Sequence, residues 1–314
     1  MRRRCILLLI DVEPDVRKPE RGSPGGWDGT RAALPLIEQM RRQLAERTAT
    51  PVVLNWFLRI DPQIEGTWGH ADHVLRAVPE LLDTIAARGD YAGIHTHLWR
   101  WNPQARDWCN DLQDEAWMRH CLDMAIAGYE AALGRQPEAC RFGDRWHSDA
   151  SVRALQHRGI RYDLSVEPGR PEEPPPGDRR ASGMLPDTRT LPRTPFQPAT
   201  GADDSHQAPW IVPLTTSAPR WQPTWYPPFL VKASVSPNLA LSPLLVAPHL
   251  EHELARITDE PLVLVLRSGD FGSRRRLANI RRNVARLVAH RGLARCELTS
   301  PPIAIGRWLD ERPA

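Results

Sequence analysis

The chain alternates between short apolar runs and longer segments in which apolar residues recur at every third or fourth position. The short runs have the length of buried strands, and the longer segments have the period of helices that pack on one face. Helices are therefore expected near 29–47, 73–88, 113–134, 148–158 and 273–291. Strands are expected at CILLLI (5–10), PVVLNWF (51–57), YAGIH (91–95), CRF (140–142), IRYDLS (160–165), PLVLVL (261–266) and 295–298.

Strands and helices that alternate along a chain form a mainly parallel sheet covered by helices, so we expect an α/β fold. The pattern contains about seven βα units, which fits a barrel with one imperfect closure better than a doubly wound open sheet. The spacing alone leaves both architectures open. We expect one domain over residues 1–314.

A proline-rich interval interrupts the alternation between about 167 and 248. It contains EPGRPEEPPPGD, RTPFQP and YPPF, and its one convincing strand is WIVPL at 210–214. A loop of this length is unusual in a compact domain unless it serves the functional site. The interval lacks the apolar runs of a separate core, although Trp221, Trp225 and Tyr226 give it apolar groups to bury. We therefore expect an irregular insertion that covers the site.

Composition and charge argue against several classes of function. The chain has 41% hydrophobic and 25% charged residues, which is ordinary for a globular protein. The formal net charge is +3 and the basic residues are spread among 38 acids, so a nucleic-acid partner is not expected. The apolar run at 5–10 is too short for a secretory signal or a membrane span. Five cysteines without CxxC spacing indicate reduced thiols, so we expect a cytoplasmic protein.

Charged or imidazole side chains follow almost every predicted strand. The carboxyl ends of parallel strands meet at one edge of the sheet, where active sites form. A single strand-end acid is usually a helix cap or a turn residue, but many charges at one edge indicate a shared role. The side chains concerned are Asp11, Glu13, Asp15, Arg59, Asp61, His95, His97, Arg141, Asp144, Asp163, Arg267 and Asp270.

His95 and His97 stand one residue apart at the end of the third predicted strand. Residues i and i+2 of a strand point to the same face roughly 7 Å apart, so the two imidazoles can approach one point. Asp11 and Glu13 share a face of the first strand in the same way. Two neutral imidazoles and a carboxylate suit Zn²⁺ or a similar divalent ion. We expect one such ion, the alternative being two histidines that are hydrogen-bonded in a polar rim.

Three motifs resemble those of the polysaccharide deacetylase family, the NodB-homology group of carbohydrate esterases. They are LLLIDVEPD, GIHTHLW and CRFGDRWHS, and they occur in the family's order after strands one, three and four. The resemblance spans roughly residues 5 to 300. It implies a distorted (β/α)₇ barrel and a metal-dependent hydrolase that removes N-acetyl or O-acetyl groups from a polysaccharide or sugar. The implied partner is therefore an N-acetylated carbohydrate.

The resemblance also implies roles for individual residues. His95 and His97 would bind the metal together with Glu13 or with Asp11, because the acid that follows Asp11 stands two positions on rather than next to it. Asp11 would take the proton of the attacking water, and Arg141 would pair with Asp11 and keep it ionised.

The late histidine of the family, a candidate general acid, is replaced by Arg267 and Ser268 in VLVLRSGDF. His147 or the protonated Asp11 would then donate a proton to the leaving amine. The tryptophans near the motifs would stack on sugar rings, although tryptophan is equally a core residue. Substrate-binding roles are thus expected for Arg59, Asp61, Trp99, Trp101, Asp144, Trp146 and Arg267.

Two other functions stay open on the same fold. One is an amide or C–N hydrolase that acts on a small metabolite. The other is a catalytically inactive barrel that binds a glycan or a protein partner. Bound metal separates the two enzymes from the inactive barrel, and the released product separates the enzymes from each other.

Overall fold

The structure is a computed structural model that describes residues 3–22, 25–199, 207–223 and 230–310. The strands are β1 Arg4–Val12, β2 Asn55–Arg59, β3 Tyr91–Thr96, β4 Trp99–Asn102, β5 Asp107–Asn110, β6 Ala139–Phe142, β7 Tyr162–Asp163, β8 Trp210–Ile211, β9 Arg220–Pro223, β10 Leu230–Ala233, β11 Leu262–Arg267 and β12 Cys296–Leu298. The helices are α1 Asp28–Thr48, α2 Pro62–Trp68, α3 His73–Ala77, α4 Glu80–Arg88, α5 Glu115–Leu133, α6 Asp149–His157, α7 Pro243–Ala255, α8 Arg274–Ala289 and α9 Pro301–Asp310.

The main sheet is parallel and curls into a half-barrel with helices on its outer face. Its strand order is β11-β1-β2-β3-β6-β7-β8, and β12 pairs with the start of β1. The proline-rich interval bridges the two ends of this sheet. The Thr215 N–H donates to the Val263 carbonyl at 3.1 Å, and the Leu239 N–H donates to the Val265 carbonyl at 3.0 Å. The expected barrel with one imperfect closure is therefore present.

Strand β1 shows how the sequence builds this sheet. All nine of its residues are buried, as expected for a parallel strand that is covered on both faces. Ile6, Leu8 and Ile10 belong to the larger apolar cluster, which includes residues of the surrounding helices. Leu7 and Leu9 belong to a second cluster, which also contains residues of α9. Asp11 continues the second set by alternation, so its side chain lies on the inner face.

The helix expected over 73–88 is divided in two. Helix α3 ends at Ala77 and α4 begins at Glu80, with Val78 and Pro79 between them. Proline lacks an N–H donor and disfavours helical geometry in the residue before it, and Val78 accordingly has φ −134° and ψ 66°. The helical period of apolar residues continues across Val78 and Pro79, so the sequence predicted one helix where the structure has two.

Other elements lie where no regular structure was expected. Helices α2, α7 and α9 are additional, and β4 and β5 form an antiparallel pair directly after the histidine motif. Strands β9 and β10 form a second antiparallel pair within the proline-rich interval. Trp221 was expected to bury apolar surface in that interval, but its side chain in β9 is 67% exposed. Trp225 and Tyr226, of which the same was expected, lie outside the described residues.

Two expectations about the whole chain can be compared with the described residues. None of their helices combines the length and the apolar character that crossing a membrane requires. All five cysteines are buried, and none of them forms a disulfide.

Candidate active site

Neighbouring strands bring the charged strand ends to one edge of the sheet. Strands β2, β3 and β6 place Arg59, His95 and Arg141 side by side in register. Strands β1 and β11 pair Asp11 with Arg267 in the same way. Parallel strands in such register carry their functional groups at the carboxyl edge, as the sequence indicated.

Glu13, His95 and His97 converge on one point. His95 Nε2 lies 3.0 Å from Glu13 Oε1 and 3.1 Å from His97 Nε2. His97 Nε2 lies 3.7 Å from Glu13 Oε1, so the three ligand atoms lie within 4.8 Å of one another. Two imidazole nitrogens and one carboxylate oxygen form a ligand set that suits Zn²⁺ and leaves coordination positions open. The residues therefore fit a divalent ion, and the acid beside the histidines is Glu13.

The groups around Glu13 favour its ionised form. Burial raises the pKa of this carboxyl, but the Arg267 guanidinium and the hydrogen bonds with His95 and His97 outweigh it and lower the pKa well below its usual range. An ionised carboxylate is the form that binds a metal ion.

Contacts of the Nδ1 atoms orient the two imidazoles. His95 Nδ1 donates to the Arg141 carbonyl at 2.7 Å, which leaves Nε2 free to bind an ion. His97 Nδ1 lies 3.1 Å from Trp99 Nε1 and 3.4 Å from Asp144 Oδ2. One ring nitrogen cannot accept from the indole and donate to the carboxylate at the same time. An ion on Nε2 requires the proton on Nδ1 and therefore favours the contact with Asp144.

The turn after β6 packs closely against His97. A Cβ atom on Gly143 would lie 2.2 Å from atoms of the imidazole ring, so only glycine fits there. Asp144 and Arg145 follow with φ of 54° and 55°, a left-handed conformation that is unusual outside glycine. Arg17 Nη2 lies 2.6 Å from Asp144 Oδ2. Burial raises the pKa of Asp144, but Arg17 and His97 outweigh it and lower this pKa far below its usual value.

Asp11 is paired with Arg141 and does not belong to the ligand cluster. Arg141 Nε donates to Asp11 Oδ1 at 2.7 Å, and Arg141 Nη1 donates to the Leu164 carbonyl at 2.7 Å. The two side chains are almost fully buried, with 1% and 5% exposure. A charge-assisted hydrogen bond of this length stabilises the ionised carboxylate. This is the pair that the sequence resemblance implied.

A cavity of about 410 Å³ opens beside these residues. Its lining contains seven acids, six arginines and His95, and no aromatic side chain of the described residues. The proline-rich interval contributes Glu167, Arg170, Glu173, Pro176 and Leu185 to the lining. Charge therefore dominates the surface that a substrate would meet.

Arg59 and Asp61 were expected to bind substrate, but they lie behind the cavity. Both are buried, and Arg59 donates to Asp61 and, at 2.6 Å, to Gln63 Oε1. Asp61 caps α2, where Oδ1 accepts from the backbone N–H groups of Gln63 and Ile64. Its Oδ2 accepts from the His97 N–H at 3.1 Å. These hydrogen bonds occupy the carboxylate, so Asp61 positions the histidine strand.

The three tryptophans and His147 also lie away from the cavity lining. Trp99 is fully buried, Trp101 follows it in β4, and Trp146 is partly buried against the core. The β4–β5 pairing turns the residues after His97 into a hairpin, and neither Trp99 nor Trp101 lines the cavity. His147 Nδ1 lies 3.4 Å from Asp163 Oδ2. Arg267 and Asp144, in contrast, do line the cavity.

Sequence reasoning missed six charged residues of the cavity, namely Arg17, Arg145, Glu167, Arg170, Glu173 and Arg276. Arg17 and Arg145 were recognisable in principle, because each lies in a loop that follows a motif strand. Arg170 and Glu173 lie in the proline-rich interval, where no pattern distinguished them. Arg170 Nη2 and Arg145 Nη2 lie 2.8 Å and 3.2 Å from Glu173 Oε1.

No protein-family model matches the chain, and no curated protein sequence matches it. Solved structures do match. A protein named as a polysaccharide deacetylase from Pseudomonas aeruginosa PAO1 has a TM-score of 0.55 and 13% identity over 99% of this chain and 92% of its own. A second protein named as a polysaccharide deacetylase, from Mycobacterium smegmatis, has a TM-score of 0.51 and 14% identity over 100% of this chain and 95% of its own. A protein named as a glycoside hydrolase/deacetylase from Parabacteroides distasonis has a TM-score of 0.59 and 13% identity over 100% of this chain and 73% of its own.

These structures bear on the fold, since their identity with this chain is low. They agree with the parallel sheet curled into a half-barrel. The resemblance that the motifs indicated is confirmed at this level: the chain has the distorted (β/α) barrel fold of the polysaccharide deacetylases.

Proposed function

We propose that this protein is a divalent-metal-dependent hydrolase that removes an acetyl group, N-acetyl or O-acetyl, from a carbohydrate. The observation that carries the proposal is the convergence of Glu13, His95 and His97 beside the Asp11–Arg141 pair. A metal-ligand cluster next to a carboxylate held by an arginine is an arrangement that can hydrolyse an acetamide. The deacetylase fold supports the same conclusion.

Glu13, His95 and His97 would hold the ion, and Zn²⁺ suits this ligand set best. When bound, the ion supplies Lewis acidity to the acetyl carbonyl and to a water molecule. Asp11 would accept the proton of the attacking water. Arg141 fixes the orientation of Asp11 through the 2.7 Å hydrogen bond.

The leaving amine also needs a proton. Asp11 lines the cavity and carries a proton once it has served as base, whereas His147 does not line the cavity and its Nδ1 lies beside Asp163. We therefore assign the donor role to the protonated Asp11, which would act as base and then as acid.

The proline-rich interval 167–248 would cover this site within a single domain. Five of its residues line the cavity, and its backbone bridges the ends of the main sheet. Limited proteolysis should then cut first within about 170 to 207, in the part where most charged residues of the interval lie, and a bound oligosaccharide should slow the cutting. Cooperative unfolding of the isolated segment would instead indicate a separate domain.

The test of the proposed function combines metal content with acetate release. Protein that is purified without chelator should contain one divalent ion per chain, and it should release acetate from N-acetylated oligosaccharides. His97→Ala should lose both properties. His120→Ala is the matched control, because His120 is an exposed histidine on α5 away from the cluster. A wild-type protein without metal, or equal activity in the two variants, would contradict the proposal.

The cavity favours one second candidate, an amide hydrolase of a small charged metabolite. A volume of about 410 Å³ lies at the lower end of the range for small-molecule sites, and its lining is charged throughout. Release of product from small cyclic amides, without acetate release from any acetylated sugar, would favour this second function.

A further inference from the structure

The cavity offers a substrate charged groups rather than aromatic rings. Aromatic side chains have the flat apolar faces on which a neutral sugar ring can pack, and none of the described residues supplies one here. Recognition at this cavity therefore depends on hydrogen bonds and charge. The distribution of charge then indicates what kind of group is bound.

Most arginines of the lining already have an acidic partner. Such pairs compensate the charge of each guanidinium and leave little for a substrate. The pairs are Arg141–Asp11, Arg17–Asp144, Arg145–Glu173, Arg170–Glu173 and Arg276–Asp270.

Arg267 differs from these five arginines in the distance to its acidic partner, since each of them lies 3.2 Å or less from a carboxylate oxygen. Its Nε is buried and has no hydrogen-bond partner among the described residues, as is also true of the Nε atoms of Arg17, Arg145 and Arg170. The acidic oxygen within ion-pair range is Glu13 Oε1, 3.9 Å from that Nε. A buried guanidinium N–H without an acceptor destabilises the protein until an acceptor arrives. The side chain is 34% exposed and lines the cavity, so a ligand can reach it.

Glu13 cannot fully compensate Arg267 once it holds a metal ion. Its Oε1 is the atom that lies 3.0 Å from His95 Nε2, and it would share its charge with the ion. Asp270, Asp11 and Asp144 also act on Arg267, but each of them has a nearer arginine partner, so a bound ion would leave Arg267 as the least compensated guanidinium on this side of the cavity. Arg267 also pairs in register with Asp11, so this guanidinium lies next to the proposed base.

We propose that Arg267 determines substrate specificity by binding an oxyanion, a carboxylate or a phosphate group, that the substrate carries close to its acetyl group. This inference rests on the proposed function and names its substrate class, an acidic acetylated sugar. A planar guanidinium with free N–H groups binds both oxyanions in a bidentate manner.

The test is binding of three probes to the zinc-loaded protein, measured by calorimetry. Glucose, glucuronate and glucose 6-phosphate carry no acetyl group, so they are not turned over, and they differ in charge at one carbon. At least one anionic probe should bind about tenfold more tightly than glucose, as expected for a charged hydrogen-bonded pair. The glucuronate and phosphate arms distinguish the two oxyanions.

Arg267→Gln should reduce this preference to within about twofold, and Arg267→Lys should keep part of it, because lysine keeps the charge without the planar fork. Arg274→Gln is the matched control, since it removes one exposed arginine on α8 outside the lining and should keep the preference. Thermal unfolding of each variant checks that the protein has folded.

Three results would overturn the inference: no probe binds, glucose binds as well as both anions, or Arg267→Gln keeps the preference for the anions. The last result would indicate that the anions bind the metal directly. The probes report binding alone, so an Arg267-dependent preference without acetate release would reject the deacetylase and leave the anion site in place. Acetate release without a preference for the anionic probes would support the deacetylase and reject the anion site at Arg267.

Discussion

Replacement of Asp144 by asparagine should weaken metal binding without disturbing the fold. Asp144 Oδ2 lies 3.4 Å from His97 Nδ1, and an ion on His97 Nε2 needs a proton acceptor at that position. Asparagine keeps the size of the side chain and tolerates the left-handed backbone, with φ 54°, better than most residues do. The substitution therefore removes the charge and leaves the geometry.

The expected loss is about 10- to 100-fold in Zn²⁺ affinity, the usual effect of removing a partner of a metal-bound histidine. This corresponds to about 1.4 to 2.7 kcal/mol of binding free energy. A competition titration against a chelator of known affinity measures it directly and does not depend on activity. Asp270→Asn is the matched control, because Asp270 is a buried acid of the same cavity that pairs with Arg276.

Trp99→Phe should act differently from Asp144→Asn. The Trp99 indole donates to His97 Nδ1 at 3.1 Å, and that hydrogen bond favours the tautomer with the proton on Nε2, which cannot bind an ion. Removing the donor should leave Zn²⁺ affinity unchanged or raise it. A Zn²⁺ affinity of Asp144→Asn within about twofold of wild type would contradict the role of Asp144 as the partner of His97 Nδ1. A larger loss of Zn²⁺ affinity in Trp99→Phe than in Asp144→Asn would contradict it as well.

Three further substitutions follow from contacts within the described residues. Asp11→Asn should abolish acetate release and lower the free energy of unfolding by about 1 to 3 kcal/mol, because it leaves a buried guanidinium without its charged partner. Gly143→Ala should lower Zn²⁺ affinity about tenfold or more, since the new Cβ would displace the His97 ring. Glu253→Gln should lower the free energy of unfolding at pH 7 by about 1 to 3 kcal/mol, because Arg4 loses a buried partner at 3.0 Å. That difference should shrink as the pH falls.

The pH dependence of the Glu253 prediction has a definite sign. Burial raises the pKa of Glu253, but the hydrogen bond and charge of Arg4 outweigh it, so the pKa lies below the ordinary value of 4.5. The pair therefore contributes its full stability above pH 4.5 and loses it as the pH falls through the lowered pKa of the folded state. Denaturant unfolding of wild type and Glu253→Gln across this range measures the difference, and a constant difference would contradict the assignment.

Controls for the other two substitutions are available in the same chain. Gly306→Ala matches Gly143→Ala, because no atom lies within 4 Å of a Cβ at that position of α9. Unchanged metal affinity in Gly143→Ala would show that the ring is not held by this contact. Asp11→Asn should keep its metal content, since Asp11 lies outside the ligand cluster. Normal turnover in that variant would remove Asp11 from the reaction.

The sequence predicted the sheet and its functional edge because both depend on local pattern. The six apolar residues at 5–10 predicted a buried strand, and β1 extends it to Arg4–Val12 with all nine residues buried. The spacing of His95 and His97 placed their side chains on one face, and the structure brings their Nε2 atoms to 3.1 Å. Periods of two and 3.6 residues are properties of the backbone, so short segments reveal them.

The sequence left open whether Glu13 or Asp11 lies beside the two histidines, because that depends on contacts between distant segments. Both acids share a face of the first strand, and the pattern could not separate them. Arg141, which lies 130 residues further along the chain, binds Asp11 and leaves Glu13 for the histidines. Trp99 and Trp101 raised the same difficulty, because only their pairing with β5 shows that they belong to a hairpin.

The contacts of Arg145 also bear on how such a protein can change over evolutionary time. Its guanidinium donates to the backbone carbonyls of Pro186 and Pro171, at 2.6 Å and 2.8 Å. Carbonyl acceptors are present whatever side chain a position carries, so these anchor points place little demand on the sequence around them. The residues between the anchors can therefore be exchanged while the neighbouring Asp144 keeps its place beside His97. New substrate preferences can arise in this way by drift in one segment, and the chemistry of the barrel is inherited unchanged.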